Sequence, residues 1–147
     1  MSTSRANRFH KAIVRYIQSW GTNIQVREQV NVGYRFVGTP RKVDIVLGYE
    51  GKYLGIEAKL QESEGTAYQK LSYTIADCKR CPIPMLIVFS GRGINDEIKA
   101  ELIMSGIGIE VKFEADDSDP TNDRIEDPYS LFRQRVYIEL GLNWLEL

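Results

Sequence analysis

Asp44, Glu57 and Lys59 sit in two short apolar runs, V-D-I-V and I-E-A-K, with twelve residues between the two acids. In the run Lys52–Leu60, strand alternation puts Leu54, Ile56, Ala58 and Leu60 on one face, and Tyr53, Gly55, Glu57 and Lys59 on the other. Glu57 and Lys59 therefore project side by side from a strand whose opposite face is core. Val43, Ile45 and Leu47 are expected to alternate with Asp44 in the same way, and Glu50-Gly51 is a tight hairpin signal that makes the two strands neighbours. Two carboxylates converging among apolar residues repel, and each raises the other's pKa unless a cation lies between them. Mg²⁺ suits such a pair because it accepts one or two carboxylates and leaves room for phosphate oxygens, and Mn²⁺ is expected to substitute for it. The metal would polarise a phosphoryl group and lower the pKa of a bound water, while the Lys59 ammonium would stabilise charge building on the phosphorus. The same Glu-x-Lys would equally serve as surface charge on a half-exposed sheet.

The elements that must position these residues are legible in outline. Phe9, Ile13, Ile17 and Trp20 recur at helical spacing over residues 5–20, and Gly21 stops the helix. Residues 24–37 alternate loosely as one or two strands, and Gly38-Thr39-Pro40 marks a turn before the strands 42–49 and 52–60. A second helix is expected over 65–80, ended by Pro82 and Pro84. Met85–Phe89 has the continuous apolar character of a buried strand. Asn95 can cap a third helix running to about Ser105, and residues 106–113 alternate as a last strand. Residues 114–130 form an acidic, Pro-containing stretch expected to be a mobile loop, and 131–147 an apolar-rich segment docked on the body or on another subunit. The chain thus reads as one domain, 1–147, of α/β class: a mixed central sheet with helices on both faces, in the order αβββαβαβ plus a C-terminal tail.

An Asp on one strand followed by Glu-x-Lys on the next, in a V-D-I-V…I-E-A-K setting, resembles the PD-(D/E)XK nuclease superfamily, and so does the element order over residues 5–113. The resemblance implies a restriction-endonuclease-like fold, with Asp44 and Glu57 as metal ligands and Lys59 as catalytic lysine. Gln69 and Tyr73, four residues apart on the helix after the lysine, match the Q-x-x-x-Y of RecB-like members and would share a helix face near the site; a chance match on a polar helix is the other reading. The literal Pro-Asp dipeptide is absent, because Pro40 lies four residues before Asp44. Many members carry a supporting Glu on the first helix. Here His10 stands roughly in that place, either as a ligand, a phosphate contact or a packed helix-flank histidine, and Glu28 is the other candidate for a supporting acid.

The net charge of −1 hides an asymmetry: residues 1–60 carry ten Lys/Arg against four Asp/Glu, the remainder nine against sixteen. A basic half suggests a polyanionic partner, although solvated surface charge gives the same count. Arg8, Lys11, Arg15, Arg41 and Lys42 are the candidate DNA contacts. The two cysteines, Cys78 and Cys81, lack the further ligands a zinc or iron–sulfur site needs, and read as two thiols near a helix end. No apolar run is long enough to span a bilayer, and a cytoplasmic location is expected. The expectation is a Mg²⁺-dependent deoxyribonuclease, an endonuclease, and a homodimer if both strands are cut. The alternatives are a non-catalytic nucleic-acid-binding or regulatory module on the same fold, and an exonuclease acting on single strands or ends.

Overall fold

The computed structural model describes residues 4–35, 38–63 and 67–147, with side chains for all of these except 67–70. The first helix, α1 (Arg5–Gln18), starts at Ser4, whose hydroxyl accepts the Asn7 N–H at 3.2 Å, and it buries Phe9, Ala12, Ile13 and Ile17. Three antiparallel strands follow: β1 (Gln25–Tyr34), β2 (Pro40–Tyr49) and β3 (Lys52–Leu60). Glu50 and Gly51 both take positive φ, 46° and 80°, which is the backbone that a two-residue hairpin needs if its twist is to match the strands.

The chain then crosses over twice. Helix α2 (Ala67–Lys79) leads to β4 (Met85–Ser90), and α3 (Asp96–Met104), capped by the Asn95 side chain, leads to β5 (Gly108–Glu110). Both strands add in parallel, so the sheet order is β1-β2-β3-β4-β5. Every residue of β4 is buried, as its continuous apolar run requires of a central strand covered on both faces. One face packs Ile45, Leu47, Leu54, Ile56, Leu86 and Val88 against α1 and α4 (Leu131–Leu140). The other packs Met85, Ile87 and Phe89 against Leu71 and Ile75 of α2 and Ile98 and Leu102 of α3. This is the expected mixed α/β sheet with helices on both sides, in the expected order.

Two stretches depart from expectation. The strand expected over 106–113 is divided at Val111, which inserts into the α1-side core while its N–H donates to the Phe89 carbonyl at 3.0 Å. Beyond it β6 (Lys112–Glu114) leaves the main sheet to pair with β7 (Arg124–Glu126). The acidic stretch 114–130, expected as a loop, thus carries β7, and several of its carboxylates accept backbone N–H groups. Asp116 accepts the Ser118 and Asp119 N–H groups, and Asp127 accepts those of Phe132 and Arg133 at the start of α4. The tail docks on the chain's own body through Phe132, Val136 and Leu140 of α4. Among the described residues no helix is long and apolar enough to cross a membrane.

Candidate active site

The β2–β3 register runs from Tyr49 opposite Lys52 to Ile45 opposite Ile56, which makes Asp44 and Glu57 the next facing pair. Backbone pairing between the strands gives way there: the Ala58 N–H donates to Asp44 Oδ2 at 2.9 Å, a side chain taking the place of a strand. The alternation of β2 also breaks at this point. Ile45 and Leu47 belong to the α1-side core, whereas Val43 lies in the α2-side core, so the expectation that all three share a face fails at Val43. The strand turns over as it leaves β3, and Asp44 sits at the turnover.

Glu57 points to the α2 side, as its alternation with the buried Ile56 requires. Burial first, and then the facing Asp44 carboxylate with which it shares a hydrogen bond, push its pKa up to about 8; the Lys59 ammonium works the other way. A carboxylate pair that retains a proton near neutrality lacks a counter-charge. A divalent cation held by Asp44 and Glu57 would supply it, and the all-oxygen donor set fits Mg²⁺ or Mn²⁺.

Glu57 opens onto a cleft of about 230 Å³, lined also by Lys59 from β3, Arg35, Pro40, Arg41 and Lys42 from the β1–β2 hairpin, and Tyr73, Thr74, Asp77 and Cys78 from α2. Tyr73 therefore shares the cleft with Glu57 and Lys59. The side chain of Gln69 lies outside the described residues; its backbone is in the first turn of α2. The Cys78 thiol is pushed up to about 12, by burial first and then by the Glu57 charge, and it forms no disulfide with Cys81.

The two candidates for a supporting ligand do not join the pair. Glu28 is exposed on β1 opposite Ile45, which faces the α1 side. His10 is buried on α1, the helix that covers the sheet face opposite Glu57, and its Nε2 has no hydrogen-bond partner. Among the described residues no three His, Cys, Asp or Glu side chains converge in a way that could hold a metal ion.

The candidate DNA contacts divide in the same way. Lys42 is exposed at the cleft, and Lys11 and Arg15 are exposed on α1. Arg8 is not free for phosphate: its Nε and Nη2 donate to the two Asp123 oxygens, both at 2.8 Å, and Nη1 pairs with Asp117, which leaves the side chain 11% exposed. Arg41 is likewise committed, at 3% exposure. Its Nε and Nη2 reach the Asp77 carboxylate at 3.1 and 2.9 Å, and its Nη1 reaches the Val32 carbonyl at 3.3 Å. It ties β1 and β2 to α2 and is a strut for the cleft wall. Sequence reasoning missed this strut and also Arg35, whose guanidinium carbon stands 5.7 Å from the Tyr73 ring centroid. Neither position carries a spacing signal, since each depends on where the hairpin folds back onto α2.

A family model described as a PD-(D/E)XK nuclease superfamily domain matches residues 2–113, from α1 through β5 to the start of β6. No curated protein sequence matches the chain significantly. Similar solved structures include an XisH family protein from Nostoc punctiforme, 13% identical over 80% of this chain and 95% of that one, with a TM-score of 0.48. Another is an fdxN element excision controlling factor protein from Anabaena variabilis, 11% identical over 74% of this chain and 91% of that one, with the same TM-score of 0.48.

Proposed function

This chain belongs to the PD-(D/E)XK nuclease superfamily, and on that premise we propose that it is a divalent-metal-dependent deoxyribonuclease that cuts endonucleolytically. The observation that carries the reading is that Asp44 faces Glu57, which together with Lys59 lines a cleft. Mg²⁺ held by Asp44 and Glu57, or Mn²⁺ in its place, would supply Lewis-acid polarisation of a phosphoryl oxygen and neutralise charge on it.

The protein's own groups do the rest. The Ala58 N–H fixes one Asp44 oxygen, so the carboxylate is oriented before any ligand arrives. Glu57, which burial and Asp44 keep protonated up to about pH 8, would bind a cation in its deprotonated form. Lys59, next but one on the same face, lines the cleft, where its ammonium would donate to the non-bridging oxygen on which charge develops. Tyr73 and Lys42 line the rim, where a polynucleotide backbone would lie. The protein would act in the cytoplasm, and a homodimer would present two such clefts to the two strands of a duplex. Tyr73 in the same cleft favours a second reading, in which single strands or strand ends are cut.

Incubation with supercoiled plasmid, linear duplex and single strands, each with Mg²⁺, Mn²⁺ or EDTA, tests these readings together. Nicked or linearised circles are expected. Loss of linear or single-stranded DNA alone would move the assignment to an exonuclease. Absence of any metal-dependent product would leave a non-catalytic DNA-binding module.

A further inference from the structure

Arg35 occupies a defined place for physical reasons. The β1–β2 register slips between Asn31 and Tyr34, and Gly33 sits in that bulge at φ 62°. A Cβ at Gly33 would lie 3.0 Å from the Pro82 ring and 3.5 Å from Arg41 Nη1, so glycine lets the hairpin press onto the chain that follows α2. The Arg41–Asp77 strut holds it there. At the hairpin end the Arg35 N–H donates to the Thr39 carbonyl at 2.8 Å and its carbonyl accepts from Gly38 at 2.9 Å, which fixes the Arg35 backbone. Its guanidinium lies over the Tyr73 ring, within the ~6 Å at which a cation is attracted to an aromatic face.

The charges around it are unbalanced. Arg41 occupies both Asp77 oxygens. Among the described residues neither Arg35 nor Lys42 makes an ion pair, although both line the cleft. A guanidinium that stacks through its face keeps its edge N–H donors for a bidentate acceptor, and phosphate has that geometry.

We propose that Arg35, held on the Tyr73 ring, forms a phosphate-binding subsite beside the acid pair that grips a neighbouring backbone phosphate of the strand being cut. The proposal rests on the nuclease reading for its substrate, and it concerns binding, so it is tested without cleavage. Anisotropy of a labelled single strand, roughly 20 nucleotides of mixed sequence, is measured in EDTA over a salt series. Arg35→Ala is expected to weaken binding about tenfold and to reduce the salt slope by about 0.7, the value for one lost phosphate contact on a single strand. Arg35→Lys keeps the charge but loses the fork and the stack, and is expected to retain the slope yet remain several-fold weaker than wild type. Tyr73→Leu should bind like Arg35→Ala, and the double variant no more weakly than either, because the two act as one unit.

Wild-type binding by Arg35→Lys would reduce Arg35 to a surface charge and overturn the subsite, as would an unchanged affinity and slope in Arg35→Ala. Additive losses in the double variant would detach Arg35 from the ring and overturn it too. A wild-type protein that shows these binding differences but never cuts DNA would retire the nuclease reading and leave the subsite standing.

Discussion

Replacing Glu57 by glutamine should make the metal-free protein more stable at alkaline pH. The ordinary glutamate pKa of 4.5 rises to about 8 here because the side chain is largely removed from water and faces Asp44. Below the lower value Glu57 is protonated in both folded and unfolded chains and costs nothing. Between the two, the unfolded chain has released its proton while the folded chain keeps it, so stability falls as pH rises and the full penalty is present above about pH 8. At about 1.4 kcal/mol per pH unit the ceiling is about 5 kcal/mol. The cleft admits solvent that screens part of this, and about 2–3 kcal/mol is the expected size at pH 9. A glutamine amide has no charge to bury, so the stability of the Glu57→Gln variant should lack this fall. The assay is urea unfolding followed by far-UV circular dichroism from pH 5 to pH 9 in EDTA, for both proteins. The two should nearly coincide at the acid end and separate by that amount at the alkaline end. Mg²⁺ added at pH 8 should recover the wild type and leave the variant unchanged. Parallel curves, or a variant less stable than wild type at pH 9, would refute the assignment of an uncompensated acid pair.

Lys59→Met and Asp44→Asn should each reduce metal-dependent cleavage by about a thousandfold, read on supercoiled plasmid, while anisotropy shows DNA binding retained. Asp77→Ala leaves the Arg41 charge buried and unpaired, and should cost about 3 kcal/mol in urea unfolding; the double change Arg41→Met with Asp77→Leu should recover much of that. Arg8→Ala should lower Tm through loss of its Asp123 and Asp117 partners without altering the salt slope of DNA binding. Lys42→Ala should do the reverse, lowering the slope by about one with an unchanged Tm.

The parts of the site that sequence made visible are those set by local periodicity. Glu57 and Lys59 share a face because a strand repeats every two residues, and Asp44 faces Glu57 because a tight turn fixes the register. Arg41 and Arg35 were not legible as strut and clamp, because their positions depend on a bulge at Gly33 and on α2 packing beneath the hairpin. Arg8 looked available for phosphate because the residue that claims it, Asp123, is 115 positions away. The acidic stretch read as a loop from composition alone, yet Asp116, Asp123 and Asp127 each accept backbone N–H groups, and those bonds give the segment its structure. Composition counts charges without saying which are neutralised.

The bond from Ala58 N–H to Asp44 has a practical consequence for anyone wanting a silent version of this protein. Truncation to alanine would strip the acceptor from a partly buried amide and damage the scaffold along with the chemistry. Asparagine carries an amide oxygen that can take the same hydrogen while forfeiting the negative charge. Of the substitutions at this residue, Asp44→Asn is therefore the one that disarms without deforming, and a trap for captured substrate is best built on it.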